Sequence, residues 1–434
     1  MRIAQITAGA AGMYCGSCLH DNTLAAALQT MGHDAVLIPT YTPIRTDEND
    51  VSIDHVFYGA INVFLEQKVS LFRHTPWMLD RMLNQRSLLT WASARGASVD
   101  ARQLGDLTLS VLQGEDGRQS KELEKLVAWL RDVHRPEIVV LPNSMFLGMA
   151  RRIREELGVP VLCAVQGEDL FLGQLAEPTA SSVLRTLREK ARDVDGLISM
   201  SRYYADFMAD FLEVEPARIH VVKLGLKLDG HGRQPPPGDS PFSVGYLARL
   251  CPEKGLHLLA EAFRLLAERA GQEQVRLRIA GYTAERDRPY VDGILEELRS
   301  RGLDHAVDLV GEVDRAQKIE FLSTLNVLSV PTTYREPKGL FVLEALANGV
   351  PVVQPAHGSF PEMLEATGGG LLVTPDSPDE LAEALHGLMV DPERRARLGQ
   401  TGKRSVHEGW NDRVMAEETL RLYRSYVEPA NESG

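Results

Sequence analysis

The sequence predicts an α/β protein of two doubly wound, Rossmann-like domains that face a cleft. Short apolar runs of strand length alternate with helical segments, a pattern that indicates parallel sheets covered on both faces. The alternation pauses at residues 225–241, where Gly, Pro and charged residues replace the periodicity, and this stretch is the predicted linker between the domains. A chain of 434 residues is also too long for one compact core.

The first domain is predicted over residues 1–228. Its strands are the runs RIAQIT, AVLIP, PEIVVLP, VPVLCAV and DGLISMS, most of them followed by a helical segment. Residues 61 to about 115 interrupt the alternation and are predicted to be a helical insertion. Within 61–103 the insertion carries six basic and three acidic residues. Its large apolar residues are Phe64, Leu71, Phe72, Trp77 and Trp91.

The second domain is predicted over residues 241–410. Its strands are the runs FSVGYLARL, VRLRIAG, AVDLVG, LNVLSVP, VPVVQP and GGLLV. The tail, 411–434, has apolar residues at helical spacing and is predicted to be an amphipathic helix that crosses back to the first domain.

Composition and charge exclude several classes of protein. The net charge of −13 argues against nucleic acid as a partner, because phosphate binding needs a basic surface. Four cysteines in this length favour a reducing compartment over a disulfide framework. The N-terminal residues do not resemble a signal peptide, and no apolar run reaches the roughly 20 residues of a bilayer span. We therefore expect a cytoplasmic protein.

The stretch REPKGLFVLEALANGVPVV, residues 335–353, carries the main functional signal. A helix that opens near Gly339 and ends at Gly349 follows a strand, so the amides of Gly339, Leu340 and Phe341 are predicted to point into the cleft. Such a helix N-terminus attracts phosphate. Glu336 and Glu344 flank this site, where carboxylates would bind sugar and ribose hydroxyls. The stretch therefore suits a sugar nucleotide.

Two cations upstream agree with this interpretation. Arg249 and Lys254 lie between a strand and the helix that starts near Gly255. A planar guanidinium and a compact ammonium can together neutralise a departing diphosphate without a metal ion. The alternative is that both are solvated surface cations.

The sequence resembles a known family, the retaining GT-B glycosyltransferases of family 4. The resemblance is carried by GYLARLCPEKG, YREPKGLFVLEALANGVPVV and HGSFPEML, and it extends more loosely into the first domain. It implies that Glu336 contacts the donor sugar, that Glu344 binds the ribose, and that Arg249 and Lys254 bind the diphosphate. The two glutamates form the E-x7-E motif of the family.

The chain departs from the family at two places. Pro337 and Lys338 stand where relatives often have Gly and an aromatic residue, which leaves the donor sugar open. Gln166 takes the place of a His near the anomeric carbon, and Gln cannot exchange a proton. Glu168 or Asp169 could instead act as the base, or both could be ordinary loop acids.

The N-terminal loop TAGAAGMYCGSCLHD allows three interpretations. By resemblance it is a glycine loop that closes on the donor phosphates, with Gly16 making the close approach. It does not match a dinucleotide-binding fingerprint. Cys15 and Cys18, with His20, leave a redox or metal role open, although zinc needs four ligands and only the distant Cys163 could complete the set.

The function predicted from the sequence is transfer of a sugar from a nucleoside diphosphate sugar to an acceptor hydroxyl, with retention of configuration and no cofactor or metal. The acceptor would be a sugar, a lipid headgroup or a small molecule. The basic, aromatic insertion could contact a lipid headgroup at the inner membrane face, or its aromatic residues could simply form core. The alternatives are another GT-B enzyme, an epimerase or a phosphorylase, and a non-catalytic sugar-nucleotide sensor.

Overall fold

The structure is a computed structural model that describes residues 1–9, 15–59, 63, 101–232 and 241–428. Most of the predicted insertion, with its aromatic residues, lies outside the described residues, as do residues 10–14 of the N-terminal loop and 233–240 of the predicted linker. The chain divides into two compact units. One unit is Met1–Gly225 with Asp412–Gly434, and the other is Leu226–Asn411.

The first unit contains a parallel sheet of six strands in the order β2-β1-β3-β4-β5-β6. The strands are β1 Arg2–Thr7, β2 Asp34–Pro39, β3 Ile138–Leu141, β4 Val161–Val165, β5 Gly196–Ser199 and β6 Ile219–Val221. The predicted strands are confirmed, and β6 is a short edge strand that the periodicity did not indicate. The central strands β3, β4 and β5 are buried throughout, as expected for a sheet covered on both faces.

Helices cover this sheet. They are α1 Gly16–Thr30, α2 Ala101–Leu112, α3 Ser120–Trp129, α4 Ala150–Leu157, α5 Asp169–Leu172, α6 Thr179–Lys190 and α7 Arg202–Leu212. Helix α1 begins directly after the undescribed part of the N-terminal loop, with Cys15 in extended conformation at its N-cap.

The second unit contains another parallel sheet of six strands in the order β12-β11-β10-β7-β8-β9. The strands are β7 Phe242–Leu247, β8 Val275–Ala280, β9 Val307–Gly311, β10 Val327–Leu328, β11 Val352–Pro355 and β12 Gly370–Val373. All six predicted strands are confirmed. Strands β7 and β11 are buried along their whole length and form the centre of the unit.

Seven helices belong to the second unit. They are α8 Leu256–Ala270, α9 Arg288–Ser300, α10 Arg315–Ser323, α11 Leu340–Ala347, α12 Phe360–Thr367, α13 Pro378–Val390 and α14 Pro392–Gly409. Each parallel crossover returns the chain to the same end of the sheet, so the loops after β7, β10 and β11 lie together at the carboxyl end.

The last helix, α15 Asp412–Val427, belongs to the first unit. Its apolar face, with Met415, Leu420 and Tyr423, packs in one cluster with Ile3 of β1 and Leu28 of α1. The Tyr426 hydroxyl lies 2.7 Å from His220 Nε2. Within the described residues, none of the helices combines the length and the apolar composition that a bilayer-crossing helix requires.

Candidate active site

The loop after β7 carries Arg249 and Lys254 and is held close to the loop after β10. Gly255, at φ +71°, ends a short 3-10 turn and begins α8. A Cβ at Gly255 would lie 1.8 Å from the carbonyl oxygen of Pro331, so only glycine allows this approach. The close packing brings Lys254 to the segment that contains Tyr334 and Glu336.

Lys254 and Glu336 form a buried ion pair. The Lys254 Nζ lies 2.6 Å from Glu336 Oε2, and the side chains are 12% and 6% exposed. The same ammonium lies 2.6 Å from the Tyr334 hydroxyl, which donates a hydrogen bond to Glu336. It also lies 5.4 Å from the centre of the Phe341 ring. Two residues predicted for the site are therefore in direct contact, and Tyr334, which the sequence analysis missed, bonds to both.

Glu336 also fixes the backbone that follows it. Its Oε1 accepts hydrogen bonds from the amides of Lys338, at 3.3 Å, and Gly339, at 3.2 Å. Gly339 was predicted to offer its amide to the donor phosphates, but in the structure a protein carboxylate already accepts from that amide. Leu340 and Phe341 occupy the first two positions of α11, where amides lack acceptors within the helix.

These contacts keep Glu336 ionised. Burial by itself would raise the pKa of the Glu336 carboxyl, but the Lys254 ammonium and the hydrogen bonds from Lys254, Tyr334 and Gly339 outweigh it and lower the pKa to about 2. The pKa of Tyr334 moves well above its usual range because of burial and the adjacent Glu336 charge. Tyr334 is therefore a neutral hydrogen-bond donor at neutral pH.

Arg249 lies in the same loop as Lys254, five residues before it. The residue is exposed, and its carbonyl accepts hydrogen bonds from the Tyr246 hydroxyl and the Cys251 amide. The loop after β7 therefore carries both predicted cations, of which Lys254 is in direct contact with Glu336.

Glu344 lies on α11, one turn further along, with a lysine partner of its own. Its Oε1 lies 2.5 Å from the Nζ of Lys318 on α10. The two side chains are 6% and 9% exposed. Lys318 was not predicted from the sequence. It is a charged residue beside the buried apolar residues Ile319, Phe321 and Leu322, and a lone charge in an apolar stretch is the signal that could have identified it.

The remaining predicted site residues lie in the first unit. Gln166 follows β4, is buried, and donates from Nε2 to the Pro142 carbonyl at 2.8 Å and to Asp21 Oδ1 at 3.4 Å. Gly16 is the first residue of α1 and is exposed, and among the described residues no heavy atom outside its chain neighbours and the backbone of α1 lies within 4 Å of a Cβ built there. Its predicted close approach to a ligand stays a prediction.

Glu168, a candidate general base, has a structural role. Its Oε1 accepts from the Ser144 amide at 2.8 Å, and its Oε2 accepts from the Gln166 amide at 2.6 Å. Asp169 accepts a hydrogen bond from the Tyr204 hydroxyl at 2.8 Å. Both acids hold the loop after β4 in shape, which accounts for them as ordinary loop acids.

Side chains that could bind a metal ion are dispersed. In the part of the chain that the structure describes, no three or more His, Cys, Asp or Glu residues are placed to bind one, and none of the four cysteines is in a disulfide. Asp193 and Asp195 have the Asp-x-Asp spacing. The Asp195 carboxylate, however, accepts from the Val161 amide at 2.8 Å and pairs with Arg154, so it fastens the start of β4.

Two family models match most of the two units of the chain. The family model for glycosyl transferases group 1 matches residues 232–405, and the model for a glycosyl transferase 4-like domain matches residues 22–225. The alpha-maltose-1-phosphate synthase of Mycolicibacterium smegmatis is 30% identical over 317 residues, which cover 66% of this chain and 78% of that relative. Four further curated relatives are matched over 46% to 57% of their own length.

Solved structures are similar over nearly the whole chain. The Anabaena protein HepE in complex with UDP aligns with a TM-score of 0.69 and 17% identity, covering 98% of this chain and all of that one. The sucrose-phosphate synthase of Thermosynechococcus elongatus aligns with a TM-score of 0.71 and 18% identity, covering 99% of each chain. At this identity the likeness shows a shared fold.

Proposed function

This chain is a glycosyltransferase that belongs to the group 1 glycosyl transferases and has a GT-B fold, and we propose that it moves a sugar from a nucleoside diphosphate sugar to an acceptor hydroxyl with retention of configuration. The observation that supports this most is the cluster of Lys254, Tyr334 and Glu336 beside the N-terminus of α11. That arrangement combines one cation that can bind phosphate, Lys254, with one carboxylate that can bind hydroxyl groups, Glu336.

The donor's diphosphate is assigned to the cationic side of the cluster. Arg249 and the ion pair of Lys254 with Glu336 carry one net positive charge, and the first amides of α11 supply hydrogen-bond donors at the positive end of a helix dipole. Charge that develops on the leaving diphosphate is stabilised by these preorganised groups, which is where most of the rate enhancement should arise. HepE was solved with UDP and with UDP-glucose, which supports a nucleoside diphosphate sugar as donor.

The sugar is assigned to Glu336 and the ribose to Glu344. Glu336 stays ionised, and a sugar hydroxyl that bonds to it replaces one of the four hydrogen bonds that this carboxylate accepts from Lys254, Tyr334, Lys338 and Gly339. The bond from the anomeric carbon to the diphosphate oxygen breaks as the acceptor oxygen bonds to that carbon on the same face. Because Gln166 cannot take up a proton and Glu168 is engaged with two amides, we assign uptake of the acceptor's proton to the departing diphosphate oxygen.

The reaction is proposed to need no metal, because Arg249 and Lys254 can balance the diphosphate charge. We place it in the cytoplasm, where cysteines outside disulfides, such as the four of this chain, persist.

The test is incubation of the purified chain with UDP-, ADP- and GDP-sugars and a panel of acceptor sugars. Release of nucleoside diphosphate that requires an acceptor, with a product whose anomeric proton coupling matches that of the donor, supports the proposal. An inverted product contradicts retention. Conversion of the donor alone indicates an epimerase, and a requirement for inorganic phosphate indicates a phosphorylase.

A further inference from the structure

We propose that Lys318 is a positioning residue for the nucleotide. Its ammonium orients the Glu344 carboxylate and offsets the negative charge of that carboxylate, so that Glu344 can bind the ribose hydroxyls beside a diphosphate. The inference rests on the proposed function, because it assumes that Glu344 faces the ribose. Lys318 itself is assigned no contact with the donor.

The first support is geometric. Helix α10 is anchored at its start by a capping box, in which Asp314 accepts from the Gln317 amide at 2.9 Å and Gln317 accepts from the Asp314 amide at 3.0 Å. Lys318 is the next residue, so its side chain starts from a fixed backbone. Its Nζ reaches Glu344 Oε1 at 2.5 Å, across 26 positions of sequence. The carboxylate is thereby held in one orientation.

The second support is energetic. Both side chains are more than nine-tenths buried, and desolvation of two charges offsets much of their attraction. An apolar pair of similar volume would stabilise this site at least as well, and the neighbouring buried residues Ile319 and Phe321 are apolar. Stability alone therefore does not account for a lysine at this position, whereas a need to keep Glu344 charged does.

The third support concerns charge near the diphosphate. A bare carboxylate one turn into α11 would repel the phosphates that the start of α11 attracts, and in a buried site this repulsion is weakly screened. The ammonium of Lys318 cancels that charge. A carboxylate has about four acceptor positions, and the bond from Lys318 occupies one of them.

The test is calorimetric titration of UDP, ADP and GDP into the full chain and its variants. Lys318→Met should weaken the affinity for the preferred nucleoside diphosphate by about tenfold, which is the coupling expected between residues in direct contact. It should raise the donor KM while kcat changes less. Lys190→Met is the matched control, because Lys190 has the same 9% exposure and pairs with Asp193 in the first unit. This control should bind like the unaltered chain.

A double variant separates positioning from general damage. If Lys318 acts through Glu344, Lys318→Met should weaken nucleotide binding little further once Glu344→Gln is present. Lys318→Gln keeps a hydrogen-bond donor and loses the charge. This variant is a second test if Lys318→Met does not fold, and it should also bind the nucleoside diphosphate more weakly.

The outcomes separate a failure of the inference about Lys318 from a failure of the proposed function. Nucleoside diphosphate affinity that is unchanged in a folded Lys318→Met or Lys318→Gln variant overturns the inference, as do losses that simply add to those of Glu344→Gln. An unaltered chain that binds none of the nucleoside diphosphates overturns the proposed function and the inference with it.

Discussion

Lys254 and Glu336 lie 82 positions apart in the sequence and form an ion pair, 2.6 Å from Nζ to Oε2. Both were predicted to contact the donor, one at the diphosphate and the other at the sugar. Their contact means that Lys254 helps to keep Glu336 ionised, and that each fixes the position of the other before any donor binds. Effects of changing one residue must therefore be separated from effects on its partner.

Lys254→Ala should lower kcat by about 10²–10³, as expected for the loss of one preorganised donor to a developing oxyanion. It should also destabilise the fold by about 3–5 kcal/mol, because Glu336 would be left buried without its ion-pair partner. Steady-state kinetics and urea unfolding measure the two effects.

The double variant Lys254→Ala/Glu336→Gln is the control for this prediction. It should regain part of the lost stability and none of the lost activity. Near-normal turnover in Lys254→Ala would remove this residue from the leaving-group site.

Activity should survive EDTA, because the cations of the β7 loop take the place of a metal ion at the diphosphate. Initial rates are measured after dialysis against EDTA and again after addition of Mg²⁺ or Mn²⁺. Loss of activity on chelation, with rescue by either ion, would contradict the proposed charge balance.

The pH dependence of stability should report the Glu336 carboxyl. Its pKa is about 2 in the folded chain against an ordinary 4.5, so the ionised form stabilises the fold fully above about pH 4.5. That contribution is lost as the pH falls from about 4.5 toward 2. The difference in free energy of unfolding between the unaltered chain and Glu336→Gln should be constant from pH 5 to 8 and shrink below pH 4.5. A difference that does not shrink below pH 4.5, or that grows as the pH falls from 8 to 5, would mean that Glu336 is not held ionised.

Gly358 packs directly against the backbone of Glu336. At φ +62°, its Cβ would lie 2.6 Å from both the amide nitrogen and the carbonyl oxygen of Glu336. Gly358→Ala should therefore destabilise the chain by more than about 1 kcal/mol and lower kcat. Gly387→Ala, in α13 with open space around it, is the matched control and should be neutral or stabilising by about 0.5–1 kcal/mol. Equal behaviour of the two variants would show that the Glu336 loop tolerates displacement.

Most of the fold could be predicted from the sequence because its elements leave local signals. Buried parallel strands such as β3 and β11 are continuous apolar runs, and Gly349, at φ +77°, follows the end of α11 as its missing Cβ predicts. Strand β6 was not predicted, because three residues carry no periodicity and only its pairing with β5 makes it a strand.

The site was predictable only where its residues share a local motif. Glu336, Glu344, Arg249 and Lys254 stand in short, recognisable stretches. The partner of Glu344 is 26 residues away, and no spacing rule links Lys318 to it. Tyr334 stands two residues before Glu336, but its hydroxyl is tied to the site by Lys254, which comes from a different loop.

The two glutamates should behave differently, and this difference tests the placement of the donor. A ribose contact exists equally in the ground state and the transition state, so Glu344→Gln should raise the donor KM with kcat less affected. A contact to the sugar ring, which gains charge in the transition state, matters more for the chemical step, so Glu336→Gln should chiefly lower kcat. Charge-assisted hydrogen bonds of this kind contribute roughly 1.5–3 kcal/mol each.

The most direct measurement is calorimetric titration of the bare nucleoside diphosphate into Glu336→Gln and Glu344→Gln. We expect Glu344→Gln to weaken the affinity at least about tenfold and Glu336→Gln to leave it nearly intact. Loss of nucleotide affinity in Glu336→Gln with none in Glu344→Gln would contradict the placement of sugar at Glu336 and ribose at Glu344.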